Sequence, residues 1–304
     1  MPRILVTGGC GFIGGHLTRR LLAEGARVAV LDDLSTGATA APGAEIVEGD
    51  IRDAGLVARL VGESDLVYHL AAVASVTRSA EDWTGTHAIN AGGTVAVLDA
   101  ARARQVPVIY ASSAAIYGDQ PHHPVDEQAP ARPLSAYGVD KLTAEGQAAV
   151  AGRLFQVPTL GLRFFNVYGP GQRPDSPYSG VISRFVDLAR RGQRLTINGD
   201  GGQTRDFVYV TDVVDALMRA RGAVAVAAPV ANICTGTGIT VLDLAATINR
   251  LTGNHAANVF RPSRASDIYF SIGVPDRARA LLGFVPATPF DEGLRATIDW
   301  MATV

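Results

Sequence analysis

Apolar residues in the first half of the chain follow two alternating patterns. Short runs rich in β-branched residues predict strands, whereas longer stretches with an apolar residue every three or four positions predict helices. The predicted strands are Arg3–Thr7, Arg27–Leu31, Glu45–Glu48, Leu66–His69, Val108–Ser112 and Thr159–Phe165. The predicted helices are Gly14–Glu24, Leu56–Val61, Gly92–Arg104 and Tyr137–Gly152. Strands that alternate with helices predict an α/β fold built on a doubly wound parallel sheet.

The pattern becomes less regular beyond Asn166, where glycine and proline are more frequent. The further predicted elements are the helices Gly180–Arg191, Val210–Ala220 and Val241–Leu251 and the short strand Leu195–Ile197. We therefore expect a large first domain at residues 1–165, to which part of 205–235 returns. The remaining residues, 166–304, are expected to form mainly a smaller C-terminal α/β lobe.

The composition of the 304 residues narrows the class of protein. A net charge of −2 without a lysine or arginine block argues against binding to nucleic acid or to an anionic membrane surface. Cys10 and Cys234 lie far apart and form no Cys-x-x-Cys pair, which is typical of a reducing compartment. Without a signal-peptide pattern or an apolar run of about 18 residues, we expect a cytoplasmic protein. His122 and His123 are adjacent and cannot easily converge on one ion, so no metal site is expected.

Glycines recur where the first strand meets the first helix, in the segment Thr7-Gly8-Gly9-Cys10-Gly11-Phe12-Ile13-Gly14. A tight turn without side chains at positions 8, 11 and 14 lets a pyrophosphate approach backbone N–H groups at the positive helix end. Asp32 ends the second strand, where a carboxylate can accept both hydroxyls of an adenosine ribose and repel a 2′-phosphate. The pattern therefore predicts a Rossmann-type domain that binds NAD rather than NADP. The alternative is a plain strand-to-helix turn in which Asp32 caps a loop.

Further cofactor contacts are expected at the ends of the neighbouring strands. Asp50 and Ile51 follow the third strand and would flank the adenine, although a helix N-cap or turn explains Asp50 equally well. The expected cofactor-binding residues are Gly8, Gly11, Phe12, Ile13, Gly14, Asp32, Asp33, Asp50, Ile51, Leu70, Ala71, Ala72, Asn90, Tyr137 and Lys141.

Three residues bring candidate chemistry to the end of the fifth strand and the start of a helix. Ser113 follows the strand, and Tyr137 and Lys141 share one helical face because they are four residues apart. A free tyrosine has a pKa of about 10 and is a poor base at neutral pH unless a nearby cation favours the phenolate. Lys141 and an oxidised nicotinamide would supply that charge, while Ser113 would hydrogen-bond the reacting oxygen. Taken alone, Tyr-x-x-x-Lys is most often an exposed helix face.

Six motifs follow one another in a definite order. They are T-G-G-x-G-F-I-G at 7–14, Y-H-L-A-A at 68–72, S-S-A-A-I-Y-G at 112–118, Y-x-x-x-K at 137–141, R-F-F-N-V-Y-G-P at 163–170 and R-D-F-V-Y-V-x-D at 205–212. With them the chain resembles the NAD-dependent epimerase/dehydratase family of extended short-chain dehydrogenases/reductases over essentially its whole length. The resemblance implies NAD as cofactor, a UDP-sugar substrate, and a homodimer formed through a helix bundle by Gly92–Arg104 and Tyr137–Gly152.

The resemblance also implies that the lobe at 166–304 binds the substrate, and it implies which residues hold the sugar nucleotide. Asn166 and Arg205 would bind the diphosphate through hydrogen bonds, charge-assisted in the case of Arg205. The chain has Arg-Ala-Ser-Asp at 264–267 where the family usually has Arg-x-Gly-Asp, so a surface ion pair is the alternative there. Ser271 matches a position near C2 of the sugar, where a bulky tyrosine is associated with the exclusion of N-acetyl groups. The implied substrate-binding residues are Ser75, Ser113, Asn166, Arg205, Arg264, Asp267 and Ser271.

The residues after Ser113 separate the activities found in the family. A 4-epimerase removes the C4 hydride, lets the 4-keto sugar rotate and returns the hydride, and it needs no second acid/base pair. Family dehydratases carry Asp-Glu at this place and glucuronate decarboxylases carry Glu, whereas this chain has Ala114 and Ala115. The resemblance therefore implies an NAD-dependent 4-epimerase of a UDP-hexose with Ser113, Tyr137 and Lys141 as catalytic residues. The alternatives are another NAD-dependent sugar-nucleotide epimerase or reductase on the same fold, and a non-catalytic NAD-binding regulator.

Overall fold

A computed structural model describes residues 1–35, 41–172, 180–263 and 268–303. Its strands are β1 (Arg3–Thr7), β2 (Arg27–Asp32), β3 (Glu45–Glu48), β4 (Leu66–His69), β5 (Val108–Ser113), β6 (Thr159–Phe164), β7 (Asn166–Tyr168), β8 (Thr196–Asn198), β9 (Thr204–Tyr209), β10 (Val230–Ile233), β11 (Gly238–Thr240), β12 (Val259–Arg261) and β13 (Phe270–Ser271). Its α-helices are α1 (Phe12–Ala23), α2 (Ala54–Gly62), α3 (Val76–Glu81), α4 (Trp83–His87), α5 (Gly93–Ala101), α6 (Ala136–Phe155), α7 (Val181–Arg190), α8 (Val210–Ala220), α9 (Val241–Thr252), α10 (Asp276–Leu282) and α11 (Phe290–Met301). A π-helical turn at Ala88–Gly92 precedes α5, and a 3₁₀ turn at Ala114–Ile116 follows β5.

Within the described residues, seven strands form one parallel sheet in the order β10-β6-β5-β4-β1-β2-β3. β2 and β3 lie on one side of β1 in the sheet. The chain then crosses back, and β4 lies on the other side of β1. In α/β sheets, ligands bind outside the carboxyl ends of the strands at the point where the order reverses. The architecture confirms the predicted α/β fold with a doubly wound parallel sheet.

Alternate residues of the central strands face two separate cores. Ile4 and Val6 of β1 belong to the core that includes apolar side chains of α1 and α8. Leu5, between them, belongs to the core that includes side chains of α2, α5 and α6. Because helices cover both faces of the sheet, its strands are near-continuous apolar runs, and the hydrophobic pattern locates them well.

The second half of the chain contributes to two places. β10 pairs with β6 in the main sheet, and α8 packs against α1. β7, β9, β11 and β13 form a small mixed sheet, and β8 pairs with β12. The apolar core of this lobe is separate and includes Tyr168, Phe185, Phe207, Leu244 and Leu294. The division of the chain into domains at 1–165 and 166–304 stays a prediction.

Several observed elements are not predicted by the sequence pattern: the short helices α3 and α4, the strands β9 and β10, and the helices α10 and α11 near the C-terminus. α3 and α4 have six and five residues, which is too short for a helical repeat to show in the sequence. The short strands β7, β11, β12 and β13 escape prediction for the same reason. Among the described helices, none is both long and apolar enough to cross a membrane.

Candidate active site

A cleft of ≈ 1170 Å³ opens at the carboxyl ends of β1, β4 and β5. Its volume exceeds the roughly 300–1,000 Å³ of a typical small-ligand pocket, which leaves room for a dinucleotide and a second ligand. The first half of the chain lines it at the glycine turn and after β4 and β5, and the second half lines it from β7, β9 and β13. The sequence-predicted site residues that line it are Gly8, Gly11, Phe12, Ile13, Gly14, Leu70, Ala72, Ser113, Tyr137, Lys141, Asn166, Arg205 and Ser271.

Backbone packing excludes side chains from the glycine turn. Gly8 has a φ of +71°, and a Cβ atom on it would lie 2.7 Å from the backbone nitrogen of Ala71. A Cβ atom on Gly14 would overlap the carbonyl oxygen of Gly8. In the described chain no side chain caps the N-terminus of α1, where Gly11 is the N-cap residue. The first turn of α1 lines the cleft, so its backbone N–H groups are placed to bind an anion.

Asp32 lies at the end of β2 and is buried. Its Oδ2 accepts a hydrogen bond from the Cys10 N–H at 2.9 Å, and its Oδ1 accepts one from the Leu34 N–H at 2.9 Å. Burial raises the pKa of the Asp32 carboxyl, and these two hydrogen bonds oppose the rise. Asp32 therefore holds the glycine turn against β2, and each carboxylate oxygen retains a lone pair that could accept a ribose hydroxyl. Its neighbour Asp33 is exposed and caps Ser35.

Asp50 and Ile51 lie after β3 and do not line the cleft. Asp50 accepts hydrogen bonds from the Arg52 side chain, with the Nε to Oδ1 distance at 2.9 Å, and this ion pair lowers the pKa of the Asp50 carboxyl. Ile51 is buried in the core beneath α5, where it packs against Gly93. The adenine contacts expected of both residues stay predictions.

Ser75, Asn90 and Ala71 shape the loop that follows β4. Ser75 caps the N-terminus of α3 with its hydroxyl oxygen. Asn90 binds both backbone groups of Val73, accepting from its N–H at 2.8 Å and donating to its carbonyl oxygen at 3.2 Å. Ala71 donates its backbone N–H to the Thr7 hydroxyl at 3.3 Å. The ligand contacts expected of the three residues stay predictions.

Ser113, Tyr137 and Lys141 meet at the end of β5. The Ser113 Oγ accepts a hydrogen bond from the Ala115 N–H at 3.1 Å, and the hydroxyl is near enough to the Tyr137 side chain to lower its pKa. The Lys141 Nζ lies 5.8 Å from the centroid of the Tyr137 ring and donates to the Ala111 carbonyl oxygen at 2.8 Å. The structure therefore brings together the three residues that the sequence singles out as catalytic.

Burial and charge set the protonation of this cluster. Burial raises the pKa of Tyr137, and the hydrogen bond from Ser113 opposes the rise. Burial lowers the pKa of Lys141 from its usual 10.5 to about 8, opposed by the negative charge of Asp140. Burial also lowers the pKa of His69 to about 3, and the charge on Lys141 lowers it further. At neutral pH Lys141 is thus mostly protonated while His69 is neutral, so the cation beside the phenol is Lys141.

The second half of the chain places three predicted substrate residues on the cleft. Asn166 begins β7, and Arg205 lies on β9, where its Nη1 donates to the Thr204 carbonyl oxygen at 2.9 Å. Ser271 is the parallel cross-strand partner of Arg205, so the two residues lie side by side. The predicted contacts Arg264 and Asp267 lie outside the described residues.

The wall beside Tyr137 contains cleft residues that the sequence analysis missed. Ser79 and Glu81 of α3 and Trp83 of α4 line the cleft, and so does Leu134 ahead of α6. The Tyr137 N–H donates to the Ser79 Oγ at 3.3 Å, so α3 lies directly against the start of α6. Trp83 is 68% exposed and Leu134 is 52% exposed. No repeat in these short segments signals a pocket wall, because the contacts that create it are tertiary.

In the ranges that the structure describes, no group of three or more His, Cys, Asp or Glu side chains could hold a metal ion. His123 donates from its Nε2 to the Gln120 carbonyl oxygen at 2.8 Å and packs against the Phe270 ring. Cys10 and Cys234 are both buried and free.

Known proteins resemble this chain over nearly its whole length. A model of the NAD dependent epimerase/dehydratase family matches residues 4–234. UDP-glucose 4-epimerase of Mycolicibacterium smegmatis is 36% identical over 308 residues, with 98% of each chain covered. UDP-N-acetyl-alpha-D-glucosaminuronate decarboxylase of Bacillus cytotoxicus is 31% identical over 318 residues, with 99% of this chain and 98% of the relative covered. The crystal structure of UDP-glucose 4-epimerase from Thermotoga maritima with UDP-glucose superimposes with a TM-score of 0.95 at 34% identity, covering 99% of each chain.

Proposed function

Since this chain belongs to the NAD-dependent epimerase/dehydratase family, we propose that it is an NAD-dependent 4-epimerase of a UDP-hexose that works through a transient 4-keto sugar. Family membership confirms the resemblance carried by the sequence motifs and confirms NAD as the cofactor. The observation that carries the proposal is the meeting of Ser113, Tyr137 and Lys141 in one cleft with the glycine turn and Arg205.

The residues present in the cleft fit the cofactor and the chemistry. The turn from Gly8 to Gly14 would hold the pyrophosphate, and Asp32 would bind the adenosine ribose. When bound, NAD⁺ supplies a hydride acceptor and donor and a further positive charge beside the phenol. The chain itself handles one proton: Tyr137 removes it from the sugar 4-hydroxyl and later returns it.

A buried tyrosine needs help to act as a base. Burial raises the pKa of Tyr137, so the neutral phenol is favoured until a cation and a hydrogen bond stabilise the phenolate. Lys141, whose Nζ lies 5.8 Å from the centroid of the Tyr137 ring, supplies the positive charge, and Ser113 would donate a hydrogen bond to the phenolate oxygen. The three residues therefore act as one unit at one oxygen atom.

The turn after Ser113 supports epimerisation over elimination or decarboxylation. Ala114 and Ala115 line the cleft there, and a methyl group can neither remove a C5 proton nor protonate a leaving group. Among the described residues that line the cleft, Glu81 is the only carboxylate, and it is exposed at the end of α3 rather than in this turn. The described part of the cleft thus holds one acid/base unit, which is what a 4-epimerase requires.

The identity of the sugar rests on Ser271. This small side chain lies next to Arg205, in the position where a bulky tyrosine is associated with the exclusion of N-acetyl groups. We hypothesise that UDP-GlcNAc and UDP-GalNAc are accepted beside UDP-glucose and UDP-galactose. The hypothesis fails if the plain pair turns over and the N-acetylated pair does not.

The proposal is tested by incubating the purified protein and NAD⁺ with single sugar nucleotides. UDP-glucose, UDP-galactose, their N-acetyl forms and UDP-glucuronate are each followed by NMR while NADH absorbance is recorded. We expect conversion to the C4 epimer of at least one hexose without net NADH, and conversion slower by about 10²-fold or more in Tyr137→Phe. Stoichiometric NADH would instead show a reductase, and NAD binding without any sugar-nucleotide binding would favour a regulator.

We also infer that the protein is cytoplasmic and that two copies pair through α5 and α6. Val95, Val150 and Leu154 on these helices are 42%, 37% and 59% exposed, which is costly for large apolar side chains in a free monomer. Light scattering should give about twice the 31.8 kDa of one chain. Leu154→Glu should reduce this mass to that of the monomer, because it would bury a charge in the helix bundle.

A further inference from the structure

Three residues on one face of α6 contact three consecutive residues at the end of β5. Tyr137, Lys141 and Glu145 are four residues apart and meet the segment Ala111–Ser113. The first two belong to the catalytic cluster described above. The third, Glu145, accepts a hydrogen bond on its Oε1 from the Ser112 hydroxyl at 2.5 Å. The proposed reaction assigns no role to Glu145.

Glu145 is held in place by Arg163 of β6. The Arg163 Nε lies 2.8 Å from the Glu145 Oε1, and the Nη2 lies 2.7 Å from the Oε2. The side chains of Arg163 and Glu145 are 8% and 10% exposed, so the pair is buried. A buried, bidentate pair has one narrow geometry. Ser112 and Arg163 are cross-strand partners in β5 and β6, so both groups that bind Glu145 lie side by side on the same face of the sheet.

Arg163 is in turn held by Tyr117 and, through the Tyr117 hydroxyl, by Asn232 of the neighbouring strand β10. Its Nη1 donates to the Tyr117 hydroxyl oxygen at 2.7 Å, and that hydroxyl donates to the Asn232 Oδ1 at 2.6 Å. Asn232 on β10 is the cross-strand partner of Arg163. Ser112, Arg163 and Asn232 therefore form a row of polar residues across three strands, β5, β6 and β10. This row leaves the guanidinium of Arg163 little freedom to move.

We propose that Glu145 is a positioning residue for catalysis: it holds Ser112 beside Arg163 and so keeps Ser113 in place beside Tyr137 in the cleft. The inference rests on the proposed function, because the bond between Ser113 and Tyr137 serves the reaction proposed there. Hydrogen bonds weaken steeply with misalignment, and a displacement of about 1 Å at a reacting group can cost about 100-fold in rate. The side chain of Arg205 lies outside this network, so substrate affinity should be spared.

Ser112→Ala and Glu145→Gln test the proposal. Ser112→Ala removes one hydroxyl and leaves the pair of Glu145 and Arg163 intact, while Glu145→Gln keeps the shape and removes the charge. The phenol pKa of Tyr137 is followed by NMR of isotope-labelled tyrosine in the NAD-loaded protein, with Tyr137→Phe to assign the signal. The other charged or titratable groups near the phenol are the same in both variants; they are Lys141 and Asp140 on α6, His69 on β4 and Glu81 on α3. Glu145→Gln also removes the negative charge beside Arg163.

We expect Ser112→Ala to raise the phenol pKa and to shift the acid limb of the kcat profile to higher pH by the same amount. Glu145→Gln should shift both less, because the uncompensated charge of Arg163 favours the phenolate and opposes the rise. At neutral pH, kcat should fall on the order of tenfold, a fraction of what general-base catalysis contributes, with KM within about twofold. The matched control is Thr143→Ala on α6, which removes a hydroxyl that donates to the Val139 carbonyl oxygen at 2.9 Å. This control should change neither quantity.

The proposal would be overturned if Ser112→Ala kept the tyrosine titration and the kcat of the wild type while its melting temperature fell. The network would then have a purely structural role. If Glu145→Gln does not fold, Ser112→Ala decides alone. If the wild-type protein turns over no sugar nucleotide, the proposed function fails, whereas the tyrosine titration still decides the role of Glu145.

Discussion

The cofactor side and the substrate side of the cleft are built differently. The cofactor side lies on the parallel sheet, where backbone packing leaves no space for a side chain on Gly8 or Gly14. The substrate side is built from short elements: Ser271 lies in a two-residue strand and Asn166 in a three-residue strand. On the proposed function, the shared chemistry would thus lie on a rigid scaffold, and recognition of one particular sugar would lie on elements that can change without disturbing the fold.

Packing shows the same difference. Asp32 is 8% exposed, and both carboxylate oxygens are hydrogen-bonded. Tyr269 and Phe270, which precede Ser271, are 38% and 42% exposed. Substitutions on the cofactor side should therefore affect the fold, the cofactor or the chemistry, whereas those on the substrate side should affect sugar-nucleotide binding alone.

Loss of the Tyr137 hydroxyl should have the largest effect. Tyr137→Phe removes the general base, so kcat should fall about 10²- to 10⁴-fold, which corresponds to about 3–5 kcal/mol of barrier. Bound NAD and the melting temperature should change little. Tyr269→Phe is the matched control, because it removes an exposed hydroxyl that donates to the Asp200 Oδ2 at 3.1 Å. Similar losses in the two variants would contradict the role of Tyr137.

Gly14→Ala should have the next largest effect. The new methyl group would overlap the Gly8 carbonyl oxygen, so the turn would have to open. We expect a loss of roughly 2–3 kcal/mol in the free energy of unfolding, measured with urea, and a large loss of bound NAD. Gly62→Ala at the end of α2 meets no atom within 4 Å and should be neutral or slightly stabilising. Retention of bound NAD by Gly14→Ala would show that the turn does not hold the pyrophosphate.

Lys141 should make stability depend on pH. Its pKa is about 8 in the fold, against 10.5 ordinarily, because burial disfavours the charged form. Between these values the unfolded chain binds more protons than the folded chain, so stability rises with pH. The free energy of unfolding of the wild type minus that of Lys141→Met should increase by about 2 kcal/mol from neutral pH to a pH near the upper end of this window. A flat difference, measured without NAD, would contradict the lowered pKa.

The sequence pattern finds residues whose position follows from a repeat or from a strand end. Ser113 and Tyr137 are of this kind, since one ends a buried strand and the other begins a long helix. Asn90 and Ser75 show the limit, because asparagine and serine serve equally well as ligand contacts and as backbone caps, and only the fold reveals the capping. Glu145 could not be found at all, because its partners Ser112 and Arg163 are 33 and 18 residues away in the sequence.

Arg205→Met should have the smallest effect and should separate the two sides of the cleft. Arg205 lines the cleft from β9, where its charge would bind the substrate diphosphate. We expect KM for the UDP-sugar to rise about tenfold, equivalent to about 1.4 kcal/mol, with kcat within about twofold and bound NAD unchanged. Arg261→Met is the matched control, since Arg261 is exposed on β12 and does not line the cleft. If Arg205→Met also loses NAD, the cofactor and substrate sides are coupled through the fold, and sugar recognition could not vary independently of the cofactor site.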